Sequence, residues 1–548
     1  MLVNAVIAEK HMGAKLLFRD LKFSIAEQAK VGLIGRNGIG KSTLFGILTG
    51  QDADYQGQVE RSKGLRIVAT AQEHFAVDEL TPVEYVLSNA PDYFRLKNIV
   101  DTYPDTMADD MEKIHTYTEA IEAFVARGYY TIEDDVVAAL GRLEIDLDAA
   151  FRPLKSLSGG QKRFVELVKL SFAQADLILL DEPTNHLDYH GKALFLEWLR
   201  GLRIACCIIS HDRDVLAEMG VIVEIRDYQA FVYPGNYADY IRQNGTNTIT
   251  EVNQYEAALK RLKVVHAQLQ VANARKAGAG DSRPRILADR LQREYDTLKE
   301  NLHKPSFWID RQTTESLGKD TVESYEKYKA KTITIGATAK DCYTRELLAV
   351  RGLSIGYTEP LFAPLSFRIE HGDRLVLRGR NGAGKSSLVR TILAAANQTP
   401  QGVTIYSGNI DVHTGVRVGV YEQEIDPAYL DQPLGEAIAR VYSEIGVPLD
   451  DRKLHGILAR YLFESAQDKK LPIRHLSGGQ KARFQLIRML ANDPNLLILD
   501  EPTNHLDLPS IEELENAILE YPGAVICISH DSQFIERIGG DTIQVGRI

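Results

Sequence analysis

The chain repeats itself, and that repeat limits what it can fold into more than any other property. Gly35-Arg36-Asn37-Gly38-Ile39-Gly40-Lys41-Ser42-Thr43 returns as Gly379-Arg380-Asn381-Gly382-Ala383-Gly384-Lys385-Ser386-Ser387. Leu157-Ser158-Gly159-Gly160-Gln161 returns as Leu476-Ser477-Gly478-Gly479-Gln480. The octapeptide opening with Asp181-Glu182 returns letter for letter from Asp500-Glu501, and Ser210-His211-Asp212 returns as Ser529-His530-Asp531. Ser158 stands 23 positions before Asp181 and Ser477 stands 23 before Asp500; Glu182 stands 29 before His211 and Glu501 29 before His530. Spacing kept over such distances means two copies of one folding unit. The reading is a first copy at 1–240, a linker at 241–340 and a second copy at 341–548.

The copies differ in one place. Gln72 precedes Ser158 by 86 positions but Gln423 precedes Ser477 by 54, so the first copy is 32 residues longer. The stretch Asn98–Tyr129 is rich in helix formers and acidic residues, which suits a small helical protrusion. The linker fits neither copy. Tyr255, Ala258, Leu262, Val265, Leu269 and Ala272 follow alternating spacings of three and four, the seam of a coiled coil. Leu287, Leu291, Tyr295, Leu298 and Leu302 make a second stripe, with Gly278, Gly280 and Pro284 between the two as breakers. Two helices folded back on each other are predicted. Between Lys260 and Arg293, nine basic residues meet two acidic ones, a net +7 in a chain whose net charge is −11. A basic needle on an acidic body suits a local contact with a nucleic-acid backbone and excludes a broadly basic coat. The blander reading is a solvated spacer.

Composition removes other classes. The 548 residues, 44% hydrophobic and 25% charged, are ordinary for globular domains and too many for one core. No run of about 18 apolar residues occurs, so no membrane span is expected. Met1–Lys15 reads as a first strand rather than a signal peptide. Four cysteines without metal-ligand spacing fit buried thiols in a reducing cytoplasm.

Both copies carry the residues of a phosphate site. A strand (Val31–Ile34; Leu375–Leu377) runs into Gly-x-x-x-x-Gly-Lys-Ser and then into a helix. Backbone N–H groups of such a loop close around phosphates, and the helix N-terminus adds partial positive charge. Lys41 and Lys385 would reach the terminal phosphates, and Ser42 and Ser386 would hold Mg²⁺. Short apolar runs end in Asp181-Glu182 and Asp500-Glu501, as buried parallel strands do. At a strand's carboxyl end the aspartates suit the Mg²⁺ shell and the glutamates a general base toward water. His211 and His530 follow further apolar strands and suit a contact with the γ-phosphate.

With Leu-Ser-Gly-Gly-Gln ahead of Asp-Glu-Pro-Thr and a later Ser-His-Asp, each copy resembles the ATP-binding cassette superfamily. The α/β fold that follows is two P-loop ATP-binding cassettes joined by an α-helical hairpin. The resemblance makes Gln72 and Gln423 the Q-loop glutamines and Tyr357 the aromatic that stacks on adenine. The first copy has only His11 and Met12 near Tyr357's place, a departure from the pattern. The resemblance also implies that Ser158, Gly159, Gly160 and Gln161 cap ATP held at Lys385, while Ser477, Gly478, Gly479 and Gln480 cap ATP held at Lys41. A tethered pair of this kind assembles its own sandwich, so a monomer is expected. Asp-Glu-Pro-Thr-Asn-His-Leu-Asp in both copies, the charged helical linker and Tyr233-Pro-Gly-Asn-Tyr237 look like the ABC-F proteins. These mostly work on the ribosome, bringing the linker hairpin to rRNA and tRNA; some protect it from antibiotics, and others assist stalled translation. The rival reading is the ATPase subunit of a membrane transporter, for which a basic hairpin between fused cassettes is unusual. Zinc or iron–sulfur relatives would need cysteine clusters that the sequence lacks.

Overall fold

The computed structural model describes residues 1–13, 15–70, 79–106, 108, 110–185, 187–276, 283–300, 346–397, 402–422, 425–463, 467–504 and 506–546. Gln72, Gln423, Leu302 and Cys342 lie outside the described residues.

Alternation of buried and open positions along Val3–Met12 (β1) and Lys15–Ile25 (β2) makes a half-covered antiparallel pair. Lys30–Gly35 (β3) leads into the helix Lys41–Thr49 (α1), and Gln56–Arg61 (β4) returns to complete a sheet in the order β2-β1-β4. Ile67–Ala69 (β5) then opens the main sheet. A helical layer follows: Pro82–Leu87 (α2), Tyr93–Thr106 (α3), Met111–Ala126 (α4), Ile132–Arg142 (α5), Leu147–Ala150 (α6) and Gly159–Phe172 (α7). The extra length of the first half is spent here. Tyr93, Leu96 and Ile99 of α3 bury against Ala120 and Phe124 of α4, with the Tyr93 and Phe124 rings 6.0 Å apart.

Leu177–Asp181 (β6), Tyr189–Gly201 (α8), Ala205–Ile209 (β7), Arg213–Ala217 (α9), Val221–Arg226 (β8) and Gln229–Pro234 (β9) complete the half. The main sheet runs β5-β6-β7-β3-β8-β9, parallel throughout except for the β8–β9 hairpin. Apolar groups cover both faces, which is why Leu177–Leu180 needs no polar alternation. Cys206 joins the core beneath the helices and Cys207 the core beneath the antiparallel sheet, as the strand's twofold period requires.

Tyr237–Lys276 (α10) is a 40-residue helix running unbroken through residue 240, and Arg283–Glu300 (α11) returns along it. Val265, Leu269 and Ala272 meet Ala288 and Leu291, with Tyr295 and Leu298 beside them. Leu287, which the sequence stripe included, is instead 49% exposed. Ala288, Leu291, Tyr295 and Leu298 keep the three–four spacing of a seam, and the small Ala288 lets the helices approach. Arg261 on α10 donates to Glu294 on α11 at 2.6 Å.

The second half repeats the plan. Glu346–Gly356 (β10), Leu365–Glu370 (β11), Arg374–Arg378 (β12), Thr404–Val412 (β13), Val418–Tyr421 (β14), Leu496–Asp500 (β15), Ala524–Ile528 (β16) and Asp541–Gln544 (β17) form two sheets. Their orders are β11-β10-β13 and β14-β15-β16-β12-β17, the second entirely parallel. Among the described residues no helix is long and apolar enough to cross a membrane.

The halves are joined by more than the linker. Arg213 at the start of α9, 6% exposed, donates to the fully buried Glu515 at 2.7 Å, on the helix Leu508–Glu520 of the other half. Arg537 donates to the same carboxylate at 2.8 Å. Glu515→Ala would leave the Arg213 guanidinium buried without this carboxylate, a cost of about 3–5 kcal/mol for breaking a buried pair. The thermal midpoint of the full chain should fall by several degrees, and an unchanged midpoint would mean that the bridge contributes nothing to joining the halves.

Candidate active site

In the first half, the loop between β3 and α1 takes a path open mainly to glycine. Gly38 and Gly40 have φ of +74° and +109°, and a Cβ at Gly40 would stand 2.8 Å from the Phe18 ring. The Lys41 ammonium turns into the loop, donating to the Gly35 carbonyl at 2.6 Å and the Arg36 carbonyl at 3.3 Å, with His211 Nε2 at 3.1 Å. Ser42 Oγ donates to Asp181 Oδ2 at 2.7 Å. Glu182, the next residue after β6, has φ of +44°, unusual for a residue with a side chain, and its N–H is held by the Ile209 carbonyl at the end of β7. Its carboxylate is 3.8 Å from His211 Nε2.

The second half reproduces this arrangement. Lys385 donates to the Gly379 and Arg380 carbonyls at 2.7 and 3.1 Å, and Ser386 Oγ to Asp500 Oδ2 at 3.0 Å. Glu501 has φ of +50° and lies 3.2 Å from His530 Nε2.

Each loop faces the other half. Ser477 caps the helix Gly478–Leu490 by accepting the Gln480 N–H at 3.3 Å, and Ser158 caps α7 by accepting that of Gln161 at 3.2 Å. A Cβ on Gly479 would meet Asn37 Nδ2 at 2.5 Å, so the glycine is what lets the two loops touch. The Asn37 N–H donates to Asp507 of the second half at 3.3 Å, and the Asn381 N–H to Asp188 of the first at 2.8 Å. Arg380 also donates to Glu144 across the same seam. A cavity of about 740 Å³ lies between the halves, with Ser158, Gly160, Tyr357, Lys385, Ser386 and Glu501 on its wall and Glu182, Ser477 and Gly479 on another part of it.

The sequence pattern of the ABC transporter family matches residues 18–185 and 362–504, more than half of the chain and once in each half. The chain belongs to the ABC transporter family. Similarity to ABC transporter F family member 2 of Arabidopsis thaliana, 30% identical over 98% of this chain and 75% of that protein, puts it in the F group. It is also 28% identical to the ABC transporter ATP-binding protein YfmM of Bacillus subtilis, over 97% of this chain and 95% of that one. Among solved structures, the archaeal ribosome recycling factor aABCE1, in complex with the ribosomal stalk protein aP1, matches 98% of this chain and 87% of its own. The TM-score is 0.57 at 16% identity, a likeness of fold.

Burial sets the electrostatics of both cassettes. It pushes the Glu182 carboxyl up to about 8 against the pull of Lys41. It also pushes Glu501 up to about 8, with Asp500 adding to the rise and Lys385 opposing it. Burial and the adjacent lysine hold His211 down to about 3 and His530 down to about 4, so both imidazoles are neutral at physiological pH. Lys41 and Lys385 are lowered by burial, despite the acids around them. An anion entering the loops would relieve this crowding of partly desolvated groups.

The structure gathers the loop residues, the two Ser–Asp pairs, the glutamates, the histidines and the capping Ser-Gly-Gly-Gln turns. Gln72 and Gln423 lie outside the described residues. Sequence reasoning passed over Asp188 and Asp507. Each caps a helix with one oxygen, taking the Gly191 N–H at 2.8 Å and the Ser510 N–H at 3.1 Å, and spends the other across the seam. A cap alone would accept Ser, Thr or Asn, so an Asp at the end of both octapeptides was the available signal.

A carboxyl raised from 4.5 to about 8 keeps its proton in the folded state where the unfolded chain has lost it. Its contribution to stability is therefore present at low pH and lost as pH rises through that window. Glu501→Gln removes the loss. In nucleotide-free protein, the thermal midpoint of Glu501→Gln should exceed the parent's by more at about pH 8.5 than at about pH 5. A gap independent of pH would contradict the raised carboxyl.

Proposed function

We propose that this protein hydrolyses ATP at two sites, each shared between the cassettes, and uses the resulting closure and opening to act on the ribosome. The observation that carries the reading is the pairing across the seam: each phosphate loop gives a backbone N–H to an aspartate of the opposite cassette, and Asn37 touches Gly479. The loops fit a triphosphate, since nothing stands closer than 3.9 Å to a Cβ built on Gly38 or Gly382 and Lys41 and Lys385 sit at the helix starts. Each Ser–Asp pair offers a hydroxyl and a carboxylate together, a donor set suited to Mg²⁺ completed by substrate oxygens. Among the described residues no cluster of three or more His, Cys, Asp or Glu side chains forms a metal cage.

In this mechanism Ser42 with Asp181, and Ser386 with Asp500, hold the metal, which when bound supplies charge neutralisation at the phosphates. Lys41 and Lys385 leave their carbonyl partners for the terminal phosphates. Glu182 and Glu501, fixed by a strained backbone and by the neighbouring strand, orient the attacking water and take its proton, for which a raised carboxyl is suited. Neutral His211 and His530 offer a hydrogen bond to the γ-phosphate. The Ser158 and Ser477 turns present N–H groups to the nucleotide of the opposite cassette. Tyr357 stacks on adenine in the second site.

The hairpin of α10 and α11 supports an RNA target because Lys260–Arg293 carries a net positive charge on an otherwise acidic protein. ATP binding would close the cassettes around the interface and set the angle at which the hairpin is presented. A cytoplasmic location follows from this target and from the buried free thiols of Cys206, Cys207 and Cys527. Protection from antibiotics and assistance to stalled translation are both compatible with this action, and drug sensitivity with and without the gene separates them.

Glu182→Gln with Glu501→Gln should keep ATP binding, reduce turnover by at least about a hundredfold, and hold the protein on sedimenting ribosomes when ATP is present. Unreduced turnover would remove both glutamates from the chemistry. Replacing Arg275, Lys276, Arg283 and Arg285 with Ser should leave basal ATPase intact and weaken ribosome binding. The log–log salt slope should flatten by about one for each phosphate that the variant no longer neutralises. Binding equal to the parent's across the salt series would make the hairpin a spacer.

A further inference from the structure

The two nucleotide sites are unequal where a base would sit. Aligned on the phosphate loops, Tyr357 of the second cassette corresponds to Gly13 of the first, and nothing lies within 4 Å of a Cβ built on Gly13. Neither His11 nor Met12 replaces the ring: neither lines the cavity at the first phosphate loop, and His11 pairs with Glu9. A second cavity, of about 440 Å³, lies against the first phosphate loop; Lys15, Leu17, Asn37 and Gly38 line it, with Gly479 and Arg483 from the other cassette. The aromatic ring on its wall outside the core is Tyr228, which comes from the β8–β9 turn.

That turn is built in an unusual way. Arg226 pairs with Gln229, so the connection is Asp227-Tyr228 alone, with φ of +47° and +69°. Two-residue turns of this hand favour Asn or Asp followed by Gly, and a bulky ring at the second place is a rare choice. The ring is also half exposed, so core packing does not explain it. The turn is nonetheless fixed, because the Arg19 N–H of β2 donates to the Tyr228 carbonyl at 2.9 Å. Lys15, from the start of β2, donates to the Gly38 carbonyl at 3.0 Å, which ties the same wall to the phosphate loop. Tyr357 and Tyr228, exposed rings from different elements, thus line the cavities at the second and the first loop.

We infer that Tyr228 is the base-stacking residue of the first site, taking from the β8–β9 turn the part that Tyr357 has in the second. The inference rests on the reading that the first phosphate loop binds ATP. A purine laid on Tyr228 has its triphosphate directed along Gly35–Ile39, with the opposite cassette's Gly479 turn closing over it. The two bases are then held by differently placed rings, and the first site discriminates among bases by a geometry of its own.

The test is calorimetric titration of the full chain with a non-hydrolysable ATP analogue and Mg²⁺, and separately with tripolyphosphate. Tyr228→Ala should weaken one of two bound analogues by about tenfold, the size of one missing base–aromatic stack. Tyr228→Phe should restore it, and tripolyphosphate should bind both Tyr228 variants as it binds the parent. In a Lys41→Ala background, where the first site is abolished, Tyr228→Ala should change nothing further. Two analogues bound at parental affinity by Tyr228→Ala would overturn the inference while leaving the ATP reading intact. So would equal weakening of tripolyphosphate, which would make the turn a mere support for the loop. If Lys41→Ala binds as the parent does, the first loop takes no nucleotide, and the reading and the inference fall together.

Discussion

The contact between a phosphate loop of one cassette and the Ser-Gly-Gly-Gln turn of the other is the constraint on which the rest of this structure depends. At Asn37 and Gly479 the Asn37 side chain lies directly against the turn, where a Cβ built on the glycine would stand 2.5 Å from its amide nitrogen. An aspartate beside each loop accepts a backbone N–H of that loop, so each loop is held in part by the opposite half. Keeping the motif spacing within each copy is then a geometric necessity. Each turn must arrive at the height of a loop more than 200 residues away in the chain.

Burial at this seam sets the charges of the buried groups. The same desolvation that raises Glu182 and Glu501 lowers His211, His530, Lys41 and Lys385. Carboxyls with an affinity for protons stand beside imidazoles that remain neutral, and the lysines are met by backbone carbonyls, by nearby acids and, at Lys41, by His211 Nε2. Such a set is poised for an anionic ligand. Arg213 and Glu515, buried on the same seam, are an asymmetric addition, since Ser532 stands in the second cassette where Arg213 stands in the first. The halves are copies in their loops and not in what joins them.

Much of this was legible in the sequence because the informative residues are those whose backbone or charge is irreplaceable. Glycines at positive φ, a lysine at a helix start and an Asp-Glu pair ending an apolar strand each admit few substitutes, and they recur. The strands β3, β6, β12 and β15 were readable from apolar runs, since a parallel strand covered on both faces has no polar alternation. The linker's hairpin was readable from its seam, but Leu287 was misplaced. Periodicity alone does not reveal that a small Ala288 is the residue at the contact. Asp188 and Asp507 escaped because a helix cap explains an Asp locally, and their second bond goes to the other half. Tyr228 escaped for a related reason: its neighbour in space, the phosphate loop, is brought to it only by the parallel register of β3 and β8.

Whether the two cassettes share their sites is tested most directly by joining them at the point of contact. In the chain carrying Asn37→Cys and Gly479→Cys, the two Cβ positions start about 2.9 Å apart, and a small shift brings them to the roughly 3.5–4.5 Å of a disulfide. The native thiols Cys206, Cys207 and Cys527 are buried, and Cys342 is replaced by Ser in the tested chain so that it does not compete. Under mild oxidation the account predicts an intramolecular bond within single chains, formed faster with ATP and Mg²⁺, and none when Asn37→Cys is combined with Gly159→Cys of its own half. Absence of that bond under every nucleotide condition, or its formation only between chains, would contradict a sandwich assembled within one molecule.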